Sequence, residues 1–230
     1  MTDKKIAILC AGADHPALHL LGDILRDVNS VIFVGIDRGA YRLIQAGYPL
    51  DYALGDFDSV SDKELDLIYS QSKKVYRVQA EKDDTDTELA FEWVKANHPD
   101  VEIYLFGAMG ASMVRLDHKI ANLYLVYQPR FQELMMRTHL IEDDLYIRWY
   151  GPGKHAIHSG ANMPDYLSII SMTPVQGLEI RGAKYELPAT DIGFPRAYVS
   201  NEFISTEDTV YVSLKTGLLM IQWVNERSQS

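Results

Sequence analysis

Short apolar runs alternate with amphipathic stretches through the first 130 or so residues. These runs are predicted strands, and the first is continuously apolar, as expected for a parallel strand covered on both faces. They cover residues 5–10, 30–35, 51–54, 74–78 and 101–106. Helices are predicted over residues 15–26, over a short stretch ending near 46, from 61 onward, and over 85–97 and 115–127. Strands that alternate with helices predict βαβ units, and therefore a mostly parallel sheet.

Two of these helices begin with a recognisable start signal. Ser61 and Glu64 form Ser-x-x-Glu, in which each side chain accepts a hydrogen bond from the other residue's backbone N–H. Thr85 and Glu88 repeat the pattern and open a helix that Pro99 terminates. The last helix of this half carries one apolar stripe, formed by Leu116, Ile120, Leu123 and Tyr127.

Beyond Pro129 the helical periodicity fades, and short β-rich runs punctuated by glycine and proline take over. They cover residues 138–142, 145–149, 166–172, 178–181, 209–214 and 218–224. This spacing is typical of an antiparallel sandwich or barrel. We therefore expect an α/β domain over residues 1–130, with a Rossmann-like sheet and flanking helices, and an antiparallel β-sandwich over residues 131–230.

Composition restricts the partners of the chain. The net charge of −10 argues against nucleic-acid binding, which needs a basic surface. The single cysteine, Cys10, excludes an internal disulfide framework. Since no apolar run reaches the roughly 20 residues of a membrane span and no signal peptide is recognisable, we expect a cytoplasmic protein that does not bind membranes. An acidic protein that handles a phosphate substrate must offset its own carboxylates, usually with a divalent cation.

Polar clusters follow the predicted strands, at the end of a parallel sheet where ligands bind. The first is Gly55-Asp56-Phe57-Asp58-Ser59. Two carboxylates two residues apart in a loop can converge on one hard cation such as Mg²⁺. Aspartate and serine also form ordinary turns and helix caps, and taken alone this stretch fits that alternative equally well.

The second cluster is Lys82-Asp83-Asp84-Thr85-Asp86. Helix capping and the helix dipole favour one or two acids at this position, but three acids in four residues exceed that need. Asp86, in the first helical turn, is held rigidly enough to complete a metal site begun by Asp56 and Asp58, and Lys82 could reach a phosphate. The alternative is a solvated charged face.

The third cluster lies on the last predicted helix of the first half. Arg115, His118 and Asn122 share one helical face, largely opposite the apolar stripe, with Asp117 between them. They follow Gly107-x-x-Gly110, a loop able to approach a ligand closely, and arginine is suited to bidentate phosphate contacts. The alternative is the polar side of an amphipathic helix.

Taken in order, these motifs resemble the thiamine pyrophosphokinase (thiamin diphosphokinase) family. The matching residues are Asp37-x-Gly39-Ala40, Gly55-Asp56-Phe57-Asp58-Ser59, Lys82-Asp83-x-Thr85-Asp86, Gly107-x-x-Gly110 with Arg115-x-Asp117-His118-x-x-x-Asn122, and Val199-Ser200-Asn201-Glu202-Phe203. Each motif alone is weak, whereas the ordered set is specific and covers essentially the whole chain.

The resemblance implies an enzyme that transfers the pyrophosphoryl group of ATP to the hydroxyl of thiamine, leaving AMP, with Mg²⁺ as cofactor. It also implies a homodimer with thiamine bound between subunits. Residues 1–130 would then bind ATP and Mg²⁺, and residues 131–230 would bind thiamine and dimerise.

Residue roles follow from the same resemblance. Asp56, Asp58 and Asp86 correspond to the acids of the Mg²⁺ and phosphate site. Thr85, Arg115 and Asp117 match positions that handle substrate, and Ser200 and Asn201 match a segment of the thiamine pocket. The remaining residues expected to bind substrate or cofactor are Asp37, Gly39, Lys82, His118 and Asn122. By hypothesis, Arg115 and Lys82 neutralise developing charge, and Asp86 or Asp117 orients or deprotonates the thiamine hydroxyl.

The chain departs from the family pattern at two places. Arg38 stands where many relatives have a second glycine. Met220 stands where some members have a tryptophan in the last strand, and Trp223 lies three residues further on.

Two other functions remain open at this point. Asp56-x-Asp58 after a strand also fits the nucleophile loop of haloacid-dehalogenase-like phosphatases, in which the first aspartate becomes phosphorylated. The third possibility is a non-catalytic sensor of thiamine or nucleotide that keeps the fold, although an acidic triad has little use in a pure binder.

Overall fold

The protein is described by a computed structural model that covers residues 4–78, 83–110, 115–160, 163–205 and 209–226. The chain divides into two compact units, residues 1–143 and residues 144–230. Among the described helices, none has the length and apolar character that a membrane span needs.

Among its described residues, the first unit contains six parallel strands in the order β6-β5-β1-β2-β3-β4. Their bounds are β1 Lys5–Cys10, β2 Ser30–Ile36, β3 Leu50–Gly55, β4 Ser72–Arg77, β5 Glu102–Phe106 and β6 Thr138–Ile141. The central strand β1 is buried from Ile6 onward, as its continuous apolar run predicts. In contrast, β4 lies at the edge of the sheet and exposes Lys73, Lys74 and Arg77.

The helices of this unit are α1 Leu21–Leu25, α2 Arg38–Gln45, α3 Asp62–Gln71, α4 Asp86–Asn97 and α5 Leu116–Tyr124. Helical 3₁₀ turns occupy Leu18–Leu20, Leu125–Tyr127 and Pro129–Arg137. Both predicted capping boxes are present, at Ser61 before α3 and at Thr85 before α4. The α/β sheet with flanking helices is therefore confirmed.

Two predicted helices differ from the observed ones. The helix expected over residues 15–26 is reduced to α1 and a 3₁₀ turn, since Pro16 disfavours the helical conformation of the residue before it and Gly22 lowers helix propensity. The helix expected over 115–127 ends at Tyr124, and the backbone continues as a 3₁₀ turn that buries Leu125 and Val126. Within α5 itself, the predicted apolar stripe is about half exposed at Leu116 and Ile120.

In the second unit, the part of the chain that the structure describes forms two antiparallel sheets, in the orders β12-β9-β14-β7 and β11-β10-β13-β8. Their bounds are β7 Leu145–Tyr150, β8 Gly153–His158, β9 Tyr166–Ser171, β10 Val175–Arg181, β11 Leu187–Ile192, β12 Arg196–Asn201, β13 Thr209–Leu214 and β14 Leu219–Val224. Side chains of both sheets form one buried cluster that includes Ile169, Ile221, Ile180 and Val212. The predicted antiparallel sandwich is confirmed.

Three described strands of the sandwich, β8, β11 and β12, have no counterpart in the predicted set, because each exposes at least half of its residues and lacks a continuous apolar run. The boundary between units also differs from the expected 130/131. Thr138–Ile141 pairs in parallel with β5, and the Phe131 ring packs edge-on against Phe91 of α4 with ring centroids 5.8 Å apart. Residues 131–143 therefore belong to the first unit.

Candidate active site

Three carboxylates meet at the carboxyl end of the parallel sheet. Asp37 follows β2, Asp56 follows β3, and Asp86 is the first residue of α4. One carboxylate oxygen from each lies within 4.8 Å of the other two, and all three residues are partly buried. Oxygen ligands at this spacing suit a hard divalent cation.

The backbone around Asp37 and Gly55 brings the first of these carboxylates into place. Asp37 has a φ of +48°, and its N–H donates to the carbonyl of Leu54 at 2.9 Å. Its Oδ1 lies so close to Gly55 that a Cβ at that position would stand 2.0 Å away, and the φ of Gly55 is +151°. Gly55 therefore provides both the conformation and the space that the Asp37 side chain needs.

The loop after β3 separates the roles of its two aspartates. Phe57 has a φ of +61°, its ring is buried, and its N–H donates to Asp37 Oδ1 at 3.2 Å. The N–H of Asp58 donates to Asp56 Oδ1 at 3.0 Å, while the Asp58 side chain is exposed. Of the predicted metal set, the structure thus brings together Asp56 and Asp86. It does not bring Asp58 into that group and places Asp37 there instead.

The crowding of carboxylates perturbs the acid chemistry of Asp37. Burial of the side chain, the hydrogen bond with Asp86 and the nearby charges of Asp86 and Asp56 raise the pKa of Asp37 to about 7, against opposition from the Phe57 N–H. At neutral pH the cluster therefore holds either a proton or unbalanced negative charge. A bound cation would relieve this repulsion.

Asp37 should make the stability of the metal-free protein pH-dependent. Its folded-state pKa of about 7 exceeds the ordinary value of 3.8, so its ionisation opposes folding. The penalty is absent below about pH 4 and complete above about pH 7. We therefore expect Asp37→Asn to raise the unfolding temperature in EDTA at pH 8 and to leave it nearly unchanged at pH 4. Asp66→Asn, on the exposed face of α3, is the control, and an equal response of both variants at the two pH values would contradict the effect.

The start of α4 is fixed by its capping box. Thr85 Oγ1 accepts from the N–H of Glu88 at 3.2 Å, and Glu88 Oε2 accepts from the N–H of Thr85 at 2.6 Å. Asp84 is held by a two-pronged ion pair with Arg130, a residue that sequence reasoning did not single out. Lys82, a predicted phosphate contact, lies outside the described residues.

The residues predicted on the third cluster divide into two groups. Arg115, Asp117 and His118 are exposed and contact one another, with Arg115 Nε 3.2 Å from Asp117 Oδ1 and Arg115 Nη2 in contact with His118 Nε2. They form a mixed-charge group at the start of α5. Asn122 instead donates from Nδ2 to the carbonyl of Ala108 at 2.8 Å, so it supports the loop that follows β5.

Two further side chains hold that loop. Lys119 Nζ donates to the carbonyl of Gly110 at 2.9 Å, and Glu142, at the end of β6, accepts from the N–H of Met109 at 2.7 Å. Burial raises the pKa of Glu142 above its usual range. Sequence reasoning missed both residues, because the partners that reveal them lie on other elements of the fold.

Gly39 and Arg38 have structural partners at the start of α2. A Cβ on Gly39 would stand 1.9 Å from the carbonyl oxygen of Cys10, so the glycine allows α2 to pack directly on the end of β1. Arg38 extends to α3, where its Nη2 lies 3.3 Å from Glu64 Oε1.

In the second unit, Ser200 and Asn201 end β12 at a register shift. Ser200 is exposed with a φ of +57°, whereas Asn201 is buried and brackets Tyr185, accepting from its N–H and donating to its carbonyl. Trp223 is also buried, and its Nε1 donates to the carbonyl of His158 at 3.0 Å. It therefore belongs to the sandwich core.

In comparisons with known proteins, both units match models of domains from one protein family. The model of "Thiamin pyrophosphokinase, catalytic domain" matches residues 27–138, and that of "Thiamin pyrophosphokinase, vitamin B1 binding domain" matches residues 154–219. The chain belongs to the thiamin pyrophosphokinase family. As a member, it is an enzyme that transfers pyrophosphate from ATP to thiamine.

Individual relatives agree with the family assignment. The chain is 32% identical over 192 residues to the thiamine pyrophosphokinase of Bacillus subtilis (strain 168), which covers 83% of this chain and 86% of the relative. A thiamin pyrophosphokinase family protein from Enterococcus faecalis has a similar crystal structure, with a TM-score of 0.85, 33% identity, and coverage of 96% of this chain and 100% of that one. The Bacillus subtilis crystal structure gives a TM-score of 0.80 at 28% identity, with coverage of 97% and 100%.

These matches decide between the functions that the sequence left open. The haloacid-dehalogenase-like alternative is not favoured, because it accounts for the Asp56 loop alone. The thiamin pyrophosphokinase family accounts for that loop, for α4 and for the sandwich together.

Proposed function

We propose that this member of the thiamin pyrophosphokinase family carries out Mg²⁺-dependent transfer of the β,γ-pyrophosphoryl group of ATP to the thiamine hydroxyl at the cluster of Asp37, Asp56 and Asp86. The observation that carries the proposal is the convergence of these three carboxylates within 4.8 Å at the end of a parallel sheet. Parallel α/β sheets bind their ligands at this end.

The chemistry of the cluster fits a hard cation. Its donors are all carboxylate oxygens, and the raised pKa of Asp37 marks negative charge that lacks compensation. When bound there, Mg²⁺ supplies positive charge against the phosphate oxygens of ATP. Asp37, Asp56 and Asp86 would hold it. That Asp58 is a further ligand stays a prediction.

The protein's own part in the reaction is to position the substrates and to balance their charge. The Gly107–Gly110 loop, held by Asn122, Lys119 and Glu142, supplies a fixed wall at the same end of the sheet. Arg115 carries an exposed guanidinium suited to phosphate oxygens. Asp117 and His118, which contact it, orient that group.

The remaining assignments are proposals of the same kind. The first unit would bind ATP, with Gly39, Thr85 and Lys82 in the phosphate region. The second unit, which contains the region matched by the vitamin B1 binding model, would bind thiamine near Ser200 and Asn201 and would carry the contact of a cytoplasmic homodimer. A monomer mass in sedimentation equilibrium would remove the dimer from this account.

One incubation tests the reaction itself. With ATP, Mg²⁺ and thiamine, we expect AMP and thiamine diphosphate in equal amounts, resolved by chromatography. ADP with thiamine monophosphate would replace pyrophosphoryl transfer by simple phosphoryl transfer. Inorganic phosphate alone, with an aspartyl-phosphate trapped on Asp56, would establish the phosphatase instead. Binding of both substrates without AMP release would establish a sensor.

A further inference from the structure

Arg130 lies at the centre of a polar network at the start of α4. Its Nη1 and Nη2 donate to the two carboxylate oxygens of Asp84 at 2.9 and 2.7 Å, a two-pronged geometry that fixes both partners. Nη2 also reaches Glu88 Oε1 at 3.2 Å, and Nε donates to Gln128 Oε1 at 2.8 Å. Gln128 in turn donates from Nε2 to Glu88 Oε1. We call Arg130, Asp84, Glu88 and Gln128 the Arg130 clamp.

The Arg130 clamp connects directly to the residues that precede the first turn of α4. Glu88 uses Oε1 for Arg130 and Gln128, and it uses Oε2 for the backbone N–H of Thr85. The Arg130 guanidinium therefore holds Asp84 directly, and it holds Thr85 indirectly through Glu88. The next residue along the chain is Asp86, whose carboxylate belongs to the acidic cluster.

Electrostatics favours this arrangement. Four acids, Asp84, Asp86, Glu88 and Glu92, lie just before or within the first two turns of α4, and like charges at that spacing repel one another. The guanidinium contacts three of them, with Glu92 Oε1 3.5 Å from Nη1. The side-chain hydrogen bond with Asp84, with the charges of Asp84, Glu88 and Glu92, raises the pKa of Arg130 despite partial burial. The cation thus stays charged and offsets the repulsion at this helix start.

Apolar packing also connects α4 with the 3₁₀ segment Pro129–Arg137, which contains Arg130. Phe131, next to Arg130, is fully buried against Phe91 of α4. Further along α4, Lys95 Nζ donates to the carbonyl of Arg130 at 2.6 Å and lies 3.3 Å from Glu133. The Arg130 side chain is therefore not the only contact that docks Pro129–Arg137 onto α4, and its particular contribution is at the acidic end of that helix.

We propose that Arg130 is a positioning residue for the metal site. It acts through Asp84, Glu88 and the Thr85 cap, and it thereby holds the Asp86 carboxylate at the distance from Asp37 and Asp56 that a shared cation requires. The inference rests on the proposed function, since it requires that the cluster binds a divalent cation. Cation sites tolerate misplacement of a ligand by only about 0.5 Å. Loss of a residue that hydrogen-bonds a metal ligand typically weakens metal binding about 10- to 100-fold, and since Arg130 acts on Asp86 through neighbouring residues, we expect the lower end of that range.

The test compares Arg130→Gln with Lys95→Gln. Lys95 joins the same two elements, but it lies nine residues beyond Asp86, about 13 Å along the helix, and contacts neither Asp84 nor Glu88 in the described structure. Mg²⁺ binding is measured without substrate, by calorimetric titration and by the Mg²⁺-induced rise in unfolding temperature. We expect Arg130→Gln to weaken Mg²⁺ binding about 10-fold or more and Lys95→Gln to leave it within about 2-fold, whatever each variant does to basal stability.

Arg130→Lys keeps the positive charge but loses the planar guanidinium that binds Asp84 through two hydrogen bonds. It is the variant to measure if Arg130→Gln does not fold. We expect it to fold and to bind Mg²⁺ less tightly than the wild type. Unchanged Mg²⁺ affinity in the folded Arg130 variants, or an equal loss in Lys95→Gln, would overturn the positioning role. Absence of Mg²⁺ binding by the wild type would overturn the metal site proposed above, and with it the premise of the clamp.

Discussion

Replacement of Asp86 by asparagine is expected to lower the rate of thiamine diphosphate formation by roughly 10²- to 10³-fold, the usual cost of one charge-stabilising group in a preorganised site. Asparagine keeps the shape of the side chain and the helix start, because the cap of α4 is made by Thr85 and Glu88. It removes one negative charge from a cluster in which three carboxylates lie within 4.8 Å. The measurement is the rate of AMP release at saturating Mg²⁺ and ATP.

Several readouts separate loss of the site from loss of the fold. Circular dichroism of Asp86→Asn should match the wild type, and the Mg²⁺-induced rise in unfolding temperature should disappear. Asp66→Asn, an equivalent substitution on the exposed face of α3, should leave both the circular dichroism and the Mg²⁺-induced rise in unfolding temperature as in the wild type. Near-normal turnover in Asp86→Asn would remove this residue from the metal site.

Gly39→Ala is expected to destabilise the protein by about 3 kcal/mol or more, the upper range of overpacking effects. A Cβ at this position would stand 1.9 Å from the carbonyl oxygen of Cys10 and 2.8 Å from that of Ala11, and neither backbone atom can move without disturbing β1. In most helices the same substitution stabilises by about 0.5–1 kcal/mol. A loss of stability in Gly39→Ala, instead of the usual gain, would therefore report the close contact between α2 and β1.

Gly22→Ala in α1 is the matched control, because nothing lies within 4 Å of the Cβ it would introduce. Urea unfolding of the two variants should move in opposite directions, with Gly22→Ala slightly more stable than the wild type. Since α2 begins directly after Asp37, any folded Gly39→Ala should also lose pyrophosphoryl transfer. Equal stability of Gly39→Ala and the wild type would mean that α2 does not pack on β1 as described.

The sequence is sufficient to predict the elements that approach the site. Apolar runs locate β1 to β5 of the parallel sheet, whereas the run that forms β6 is predicted in the sandwich; Ser-x-x-Glu and Thr-x-x-Glu locate the starts of α3 and α4 to the residue. These features depend on neighbouring residues, so they can be read from a short window of sequence. Asp56 and Asp86 follow from this reading, because each lies just beyond a strand or at the start of a helix.

The direction in which side chains point cannot be predicted in the same way. Asp58 and Asp56 share one loop, yet the positive φ of Phe57 and the burial of its ring leave Asp58 exposed. Asp37 joins the cluster because Gly55, on a different strand, leaves room for its carboxylate. Both outcomes depend on backbone conformations that are stabilised by contacts distant in sequence.

The same limit applies to the residues that support the site. Arg130 and Glu142 carry no motif, and their importance lies in partners that are 46 and 33 residues away, respectively. In the second unit, β11 and β12 expose at least half of their residues, so no apolar run in the sequence indicates them. Such features become visible only once the chain is folded.

The edge position of β4 has a consequence for behaviour in concentrated solution. An edge strand presents unpaired N–H and C=O groups, which can recruit a strand from another molecule and start aggregation. Among the described strands, β4 pairs only with β3, and it displays Lys73, Lys74 and Arg77 along this border. Charges of one sign oppose the approach of an identical strand. Although the chain is acidic as a whole, this edge carries Lys74 and Arg77 beside Lys73, which pairs with Asp51, and these cations oppose self-templated β-pairing.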